Sequence, residues 1–166
     1  PTLAAIPLIR VKPGEEKLIS HADAVYAEPY RALAIGLGLS ESAPGWTVGI
    51  TSPASDEGKS LTTANLGIAL AEAGRRTLII DADLRTPMQH RLFKVSNRDG
   101  LTGLLHEFSL RADAQGDEEA LADLRSGVRR ADVANLSLLT SGPLPPYPDE
   151  VLSSAYLPRL LRAVAG

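Results

Sequence analysis

The sequence contains no cysteine. Disulfides, thiolate metal sites and cysteine nucleophiles are excluded, and the composition fits a reducing compartment. Aromatic residues make up only 4% of the chain, so its core must be aliphatic. No apolar run approaches the ~20 residues of a membrane span. Nor is there an excess of one charge: 17 Lys+Arg stand against 20 Asp+Glu, a formal net charge of −3. That balance creates no global field for nucleic acid, which is not expected as a partner. The sequence lacks an initiator Met, and its apolar start, Pro1 to Arg10, lacks the basic flank of a signal peptide. It is expected to be a stretch of something longer. What is present is 166 residues, 44% of them hydrophobic, enough for the core of one domain.

Residues 1–17 read as an extended segment, with apolar runs broken by Pro7 and a turn at Pro13-Gly14. The folded domain is expected over 18–166. Ser20 with Asp23 marks a helix start, and the Ala- and Leu-rich stretch to Leu39 carries Pro29, which predicts a kink or a restart there. Pro44-Gly45 marks a turn. Thr47–Thr51 reads as a strand, Ser52–Glu57 as a polar loop, and Gly58 or Lys59 to Ala73 as a helix closed by Gly74. Thr77–Ile80 is the next strand and runs into Asp81-Ala82-Asp83. Two apolar strands joined by a helix predict a right-handed βαβ unit of a parallel sheet. Further on, the pattern predicts a short helix near Leu101–His106, an acidic segment around Asp113–Glu119 and a helix over Glu119–Arg129. A third strand is expected at Leu136–Thr140, then a rigid proline loop (Gly142–Pro148), a short helix capped by Asp149 and another over Leu157–Val164. The expected fold class is α/β, a P-loop NTPase-like parallel sheet with flanking helices, incomplete at its C-terminus.

Gly58-Lys59-Ser60, after a strand and opening a helix, has the setting of a phosphate-binding P-loop. The loop and first turn, Ser55, Asp56, Glu57, Gly58, Lys59, Ser60 and Leu61, would turn backbone N–H groups toward a phosphate. The helix N-terminus adds about half a positive charge. Lys59 would reach the outer phosphates and the Ser60 hydroxyl would bind Mg²⁺. Pro53 stands where the usual pattern has its first glycine. The second signal is Asp81-Ala82-Asp83-Leu84-Arg85 at the end of the next strand, where ligands of open α/β sheets sit. Strand alternation points both carboxylates the same way. Beside a triphosphate they would hold Mg²⁺ through water and take a proton from an attacking hydroxyl. On that reading both matter more to turnover than to folding. The alternative is that Asp-x-Asp caps the following turn. His21, His90 and His106 are scattered without metal-ligand spacing.

The order and spacing of Thr51–Ser60, Leu78–Arg85, Gly100-Leu101, Ser141–Pro146 and Glu150–Ser154 resemble the bacterial tyrosine kinases of polysaccharide co-polymerases. The resemblance covers nearly the whole chain. It implies an ATP- and Mg²⁺-dependent autokinase that regulates capsule and exopolysaccharide export at the cytoplasmic face of the inner membrane. It also implies a membrane-embedded co-polymerase part on the same or a partner chain. Lys59 and Ser60 match the family's phosphate-binding lysine and hydroxyl, and Asp81 and Asp83 its second acidic motif. Glu28 and Arg31 match the start of its E-x-x-R-x-x-R self-assembly motif, whose last arginine is Ala34 here, which implies a weakened contact between copies. Tyr147 replaces the usual Asn of the proline loop. The family's further apolar strand with its aspartate, expected shortly after Leu161, and its tyrosine-rich tail are absent, so this stretch alone is expected to be inactive.

Two rival readings stand beside the kinase. A partition or division-site ATPase shares the deviant loop and the Asp-x-Asp strand, but those proteins usually carry a second lysine near the loop start. Ser52–Glu57 has none. A degenerate, non-catalytic regulatory domain would fit Ala34 and the missing strand.

Overall fold

The computed structural model describes residues 2–7, 18–19, 24–39, 45–110, 122 and 124–165. The expected turn at Pro13-Gly14, the helix start at Ser20 and Asp23, His21 and the acidic segment 113–119 lie outside them. In chain order the elements are α1 (Ala24–Gly36), α2 (Lys59–Glu72), β1 (Thr77–Ile80), α3 (Gln89–Leu92), α4 (Leu101–Leu110), β2 (Arg129–Arg130), β3 (Leu136–Leu139), α5 (Pro148–Leu152) and α6 (Tyr156–Ala165). Residues 124–127 add a helical turn.

Three strands form one sheet in the order β1-β3-β2. β1 and β3 are parallel, with Thr77 opposite Leu136 and Ile80 opposite Leu139. β2 pairs antiparallel with β3 through Arg129–Leu138 and Arg130–Ser137. The sheet is therefore mixed rather than purely parallel. Its edge strand is short enough for a tight return through Ala131–Asn135, which a parallel connection cannot make.

Alternation along β1 and β3 splits the core in two. Ile79, Leu136 and Leu138 pack with Ala27 and Tyr30 of α1 and Ile68, Ala69 and Ala71 of α2. Leu139, with the partly buried Leu78 and Ile80, packs on the other face against Leu101, Leu104, Leu105 and Phe108 of α4 and Leu160 of α6. Helices thus cover both faces of the sheet, and the core is aliphatic as the composition demands. α2 ends where the sequence places its stop: Gly74 has φ 84°, a left-handed conformation that costs glycine little.

Five local expectations need correction. Residues 47–51 form no strand among the described residues. A strand exists only where its N–H and C=O groups meet a neighbour's. Here a cleft of about 1580 Å³ separates residues 45–51 from β1. Trp46 and Val48 accordingly stay 59% and 40% exposed. The open edge of β1 faces the same cleft. The helix expected to reach Arg129 stops at Gly127, because Arg129 pairs with Leu138 in β2. Of the two expectations for Pro29, a restart is excluded: it lies inside α1, leaving the Val25 carbonyl without its helical donor. α4 runs four residues past the expected end, because Leu104, Leu105 and Phe108 continue its buried stripe. Asp149 is not the cap of α5: Tyr147 holds that position with Pro148 in the first turn. Pro148 needs no N–H donor there.

Candidate nucleotide site

The loop ahead of α2 is an exposed turn from Ser52 to Glu57. The Ser52 hydroxyl donates to the Ala54 carbonyl at 2.9 Å, and the Ala54 N–H donates to a Glu57 carboxylate oxygen at 3.3 Å. Asp56 (φ 61°) and Gly58 (φ 81°) are left-handed. These reversals fold the chain into a tight approach to the helix, the kind of turn that gathers N–H groups into an anion-binding concavity. No side chain caps α2. Its first N–H groups are left to a ligand or solvent. Ser55 stays exposed beside them, and Leu61 packs half-buried in the first turn.

Asp83 comes to this helix start from the loop after β1. The Lys59 ammonium donates to its Oδ2 at 2.8 Å. Its Oδ1 accepts the N–H groups of Arg85 (3.2 Å) and Thr86 (2.9 Å). Partial burial opposes the charge on Asp83. The Lys59 hydrogen bond, the two N–H donors and the attraction of the ammonium outweigh that opposition and hold the carboxyl below its ordinary value.

Asp81 is placed differently. Only 5% exposed, it accepts the Asp83 N–H at 3.2 Å on Oδ1, and the N–H groups of Met88 (3.2 Å) and Gln89 (3.0 Å) on Oδ2. Burial pushes its pKa up. The three N–H donors pull against that rise and the nearby Asp83 charge adds to it. Strand alternation stops at Ile80, so the two carboxylates part. Asp83 turns to Lys59, and Asp81 holds the return of the chain into α3.

Sequence reasoning missed Gln89, which is 3% exposed and donates from Nε2 to the Ser60 carbonyl at 2.9 Å. No spacing announces it, since α3 is only four residues long. It also missed how the proline loop is held. Asn97 bonds Ser141 and Gly142, and Thr102 bonds the Pro143 carbonyl. Arg85 reaches across to both carboxylate oxygens of Asp149 at 3.1 and 3.2 Å. Glu28 and Arg31 lie apart from this site on α1. There Arg31 pairs with Glu72 of α2 at 3.5 Å and with Glu28 at 3.9 Å. Ala34 is buried. His90 is partly buried and His106 exposed.

Among the described residues no cluster of three or more His, Cys, Asp or Glu could hold a metal by itself. The donors that are present, one hydroxyl (Ser60) and one carboxylate (Asp83) beside an uncapped helix start, suit a cation shared with phosphate oxygens and water, as Mg²⁺ prefers.

A helix start with a lysine, facing a carboxylate from the end of a parallel strand, defines a nucleotide-binding α/β domain. The chain belongs to the family described as the CobQ/CobB/MinD/ParA nucleotide binding domain, whose model matches residues 48–141. Its relatives are bacterial tyrosine kinases. The chain is 38% identical over 106 residues to a putative tyrosine-protein kinase, CapB, of Staphylococcus aureus, covering 64% of this chain and 41% of that protein. It is 40% identical over 114 residues to the tyrosine-protein kinase YwqD of Bacillus subtilis, covering 69% and 43%. The kinase domain of the Escherichia coli tyrosine kinase ETK superposes with a TM-score of 0.76 at 25% identity, over 98% of this chain and 63% of that one. The matches thus span less than half the length of CapB and YwqD.

Proposed function

We propose that this chain is the nucleotide-binding part of an ATP-dependent protein-tyrosine autokinase that regulates capsular or exopolysaccharide polymerisation and export. The observation that carries the reading is the 2.8 Å contact between Lys59, in the first turn of α2, and Asp83, from the loop after β1. It brings the lysine that would bind phosphate and a carboxylate steadied by the N–H groups of Arg85 and Thr86 to one point. The tyrosine-kinase relatives support the choice of phosphoryl acceptor, and the absence of a second lysine in Ser52–Glu57 favours it over a partition ATPase.

Bound ATP·Mg²⁺ would supply the transferable phosphoryl group and the charge that neutralises its oxygens. The chain's own residues do the rest. The turn 55–58 and the uncapped α2 N–H groups bind phosphate oxygens. Lys59 exchanges Asp83 for a phosphate oxygen, and Ser60 offers its hydroxyl to the cation. Asp83, so released, accepts the proton of the tyrosine hydroxyl as that oxygen bonds phosphorus and the bond to ADP breaks. Asp81, with both oxygens on N–H groups, keeps the Asp83 loop in place and would hold a cation through water.

On the same reading the natural protein acts as a homo-oligomer at the cytoplasmic face of the inner membrane, coupled to a membrane-embedded co-polymerase part. Among the described residues no helix is long and apolar enough to cross a membrane. The Arg31–Glu72 pair and the buried Ala34 support a contact between copies weaker than a full E-x-x-R-x-x-R motif gives. Calorimetry on the full-length protein tests the core of the proposal. ATP·Mg²⁺ should bind the parent and bind a Lys59→Met variant far more weakly; equal affinity would place the nucleotide elsewhere.

A further inference from the structure

The chain brings a second side chain to the helix start that neither the P-loop pattern nor the Asp-x-Asp motif contains. Gln89 is 3% exposed and lines the same cleft as Lys59, Ser60, Asp81 and Asp83. Its backbone N–H is fixed by Asp81 at 3.0 Å, and its side-chain Nε2 donates to the Ser60 carbonyl at 2.9 Å. That carbonyl can only accept, so the amide orientation is settled: Nε2 faces Ser60 and Oε1 faces away. Oε1 is buried and has no hydrogen-bond donor. A buried amide oxygen without a donor is costly to keep. The neighbouring carbonyl of Lys59 receives its extra donor from the Thr63 hydroxyl at 2.9 Å, which leaves Gln89 as the brace on Ser60.

We propose that Gln89 is a positioning residue of the nucleotide site: Nε2 sets the first turn of α2 through Ser60, and Oε1 accepts a hydrogen bond from water on a divalent cation bound at the Ser60 hydroxyl. The inference rests on the nucleotide reading above and adds a residue to it. Mg²⁺ keeps several of its waters when bound by few protein ligands, and their O–H groups are strong donors. Such a water supplies the donor that Oε1 lacks. Gln89 then ties three things together: the Asp81 loop, the hydroxyl of Ser60 and the cation's water shell. The Nε2 brace acts with or without the cation, whereas the Oε1 contribution appears only when the cation is present, which separates Gln89 from a residue that merely holds the fold.

The test is calorimetry of ADP binding to the full-length protein, in Mg²⁺ and again in EDTA, for the parent and for Gln89→Met. Methionine keeps the length of the side chain and removes both hydrogen bonds. ADP affinity in EDTA should fall about two- to threefold, the share of the Nε2 brace on Ser60, while affinity in Mg²⁺ should fall about five- to tenfold, the equivalent of one or two net hydrogen bonds. Equal losses under both conditions would make Gln89 a framework residue and overturn the inference. So would an unchanged affinity in Mg²⁺. Gln89→Leu is the second variant; if neither folds, the framework role is again the answer. A parent that binds no ADP under either condition overturns the nucleotide reading itself, a result distinct from all of these.

Discussion

Asp81→Asn separates a supporting carboxylate from a reacting one. The Asp81 carboxylate receives three backbone N–H groups, at 3.0, 3.2 and 3.2 Å. An asparagine can present its one oxygen to Met88 and Gln89, which share Oδ2. Its NH₂ then confronts the N–H of Asp83, donor against donor. One bond is lost outright and the other two lose their charge. Hydrogen bonds to charged groups contribute about 1.5–3 kcal/mol each and neutral ones about 1 kcal/mol. Relief from burying a charge offsets part of the loss, because burial already pushes Asp81 toward its neutral form. A net loss of about 2–3 kcal/mol remains, or about 5–10 °C in melting temperature for a domain of this size. Asp83→Asn differs. Its partner Lys59 is 34% exposed, and partly exposed ion pairs contribute about 1 kcal/mol or less, so melting should shift by under about 4 °C. Phosphoryl transfer should instead fall about 100-fold or more, as removal of a general base does. Thermal melts of the full-length variants, read beside phosphotyrosine formation, decide it. A stable Asp81→Asn with a destabilised Asp83→Asn would refute the division of roles.

Three further outcomes follow from the geometry. A Cβ at Gly100 would lie 2.4 Å from the Thr140 carbonyl and 2.4 Å from the Gly142 nitrogen, both backbone atoms that cannot swing away. Gly100→Ala should therefore cost about 1–3 kcal/mol, read as the loss in denaturant midpoint, and an unchanged midpoint would contradict the packing of α4 on β3. In a carboxyl NMR titration Asp83 should titrate below the ordinary carboxylate value and Asp81 above it. Stability contributed by Asp83 is then present above its unfolded-state pKa and lost as pH falls through its lowered one, whereas that of Asp81 is present at low pH and lost as pH rises through its raised one. The reverse order of titration would refute the assignment. The 166-residue polypeptide expressed by itself exposes the β1 edge beside the cleft and should self-associate at micromolar concentration; a monodisperse monomer in light scattering would contradict that reading of the edge.

The parts of the fold legible in the sequence were those set by local pattern. Thr77–Ile80 and Leu136–Leu139 are short apolar runs with turn residues on either side, and both became strands. The helix from Lys59 to its stop before Gly74 carries its own punctuation. Thr47–Thr51 has the same β-like composition as β1, yet composition cannot supply a neighbouring strand, and pairing decides. β2 was invisible because two arginines carry no strand pattern; they pair only because the return at Ala131–Asn135 lays them beside β3. At the site, Lys59 and Asp83 were legible because their spacing belongs to known chemistry. The parting of Asp81 from Asp83 was not, because it depends on where Met88 and Gln89 return to the strand end. Gln89 was illegible for the same reason: its partner lies 29 residues away on another element.

The proposed function stands on Lys59 anchoring a nucleotide whose phosphoryl group goes to tyrosine. The most direct measurement is phosphoamino-acid analysis of the full-length protein after incubation with Mg²⁺ and γ-labelled ATP, beside its Lys59→Met variant. Labelled phosphotyrosine is expected in the parent and none in the variant. An unlabelled parent, or equal labelling of both, would contradict it.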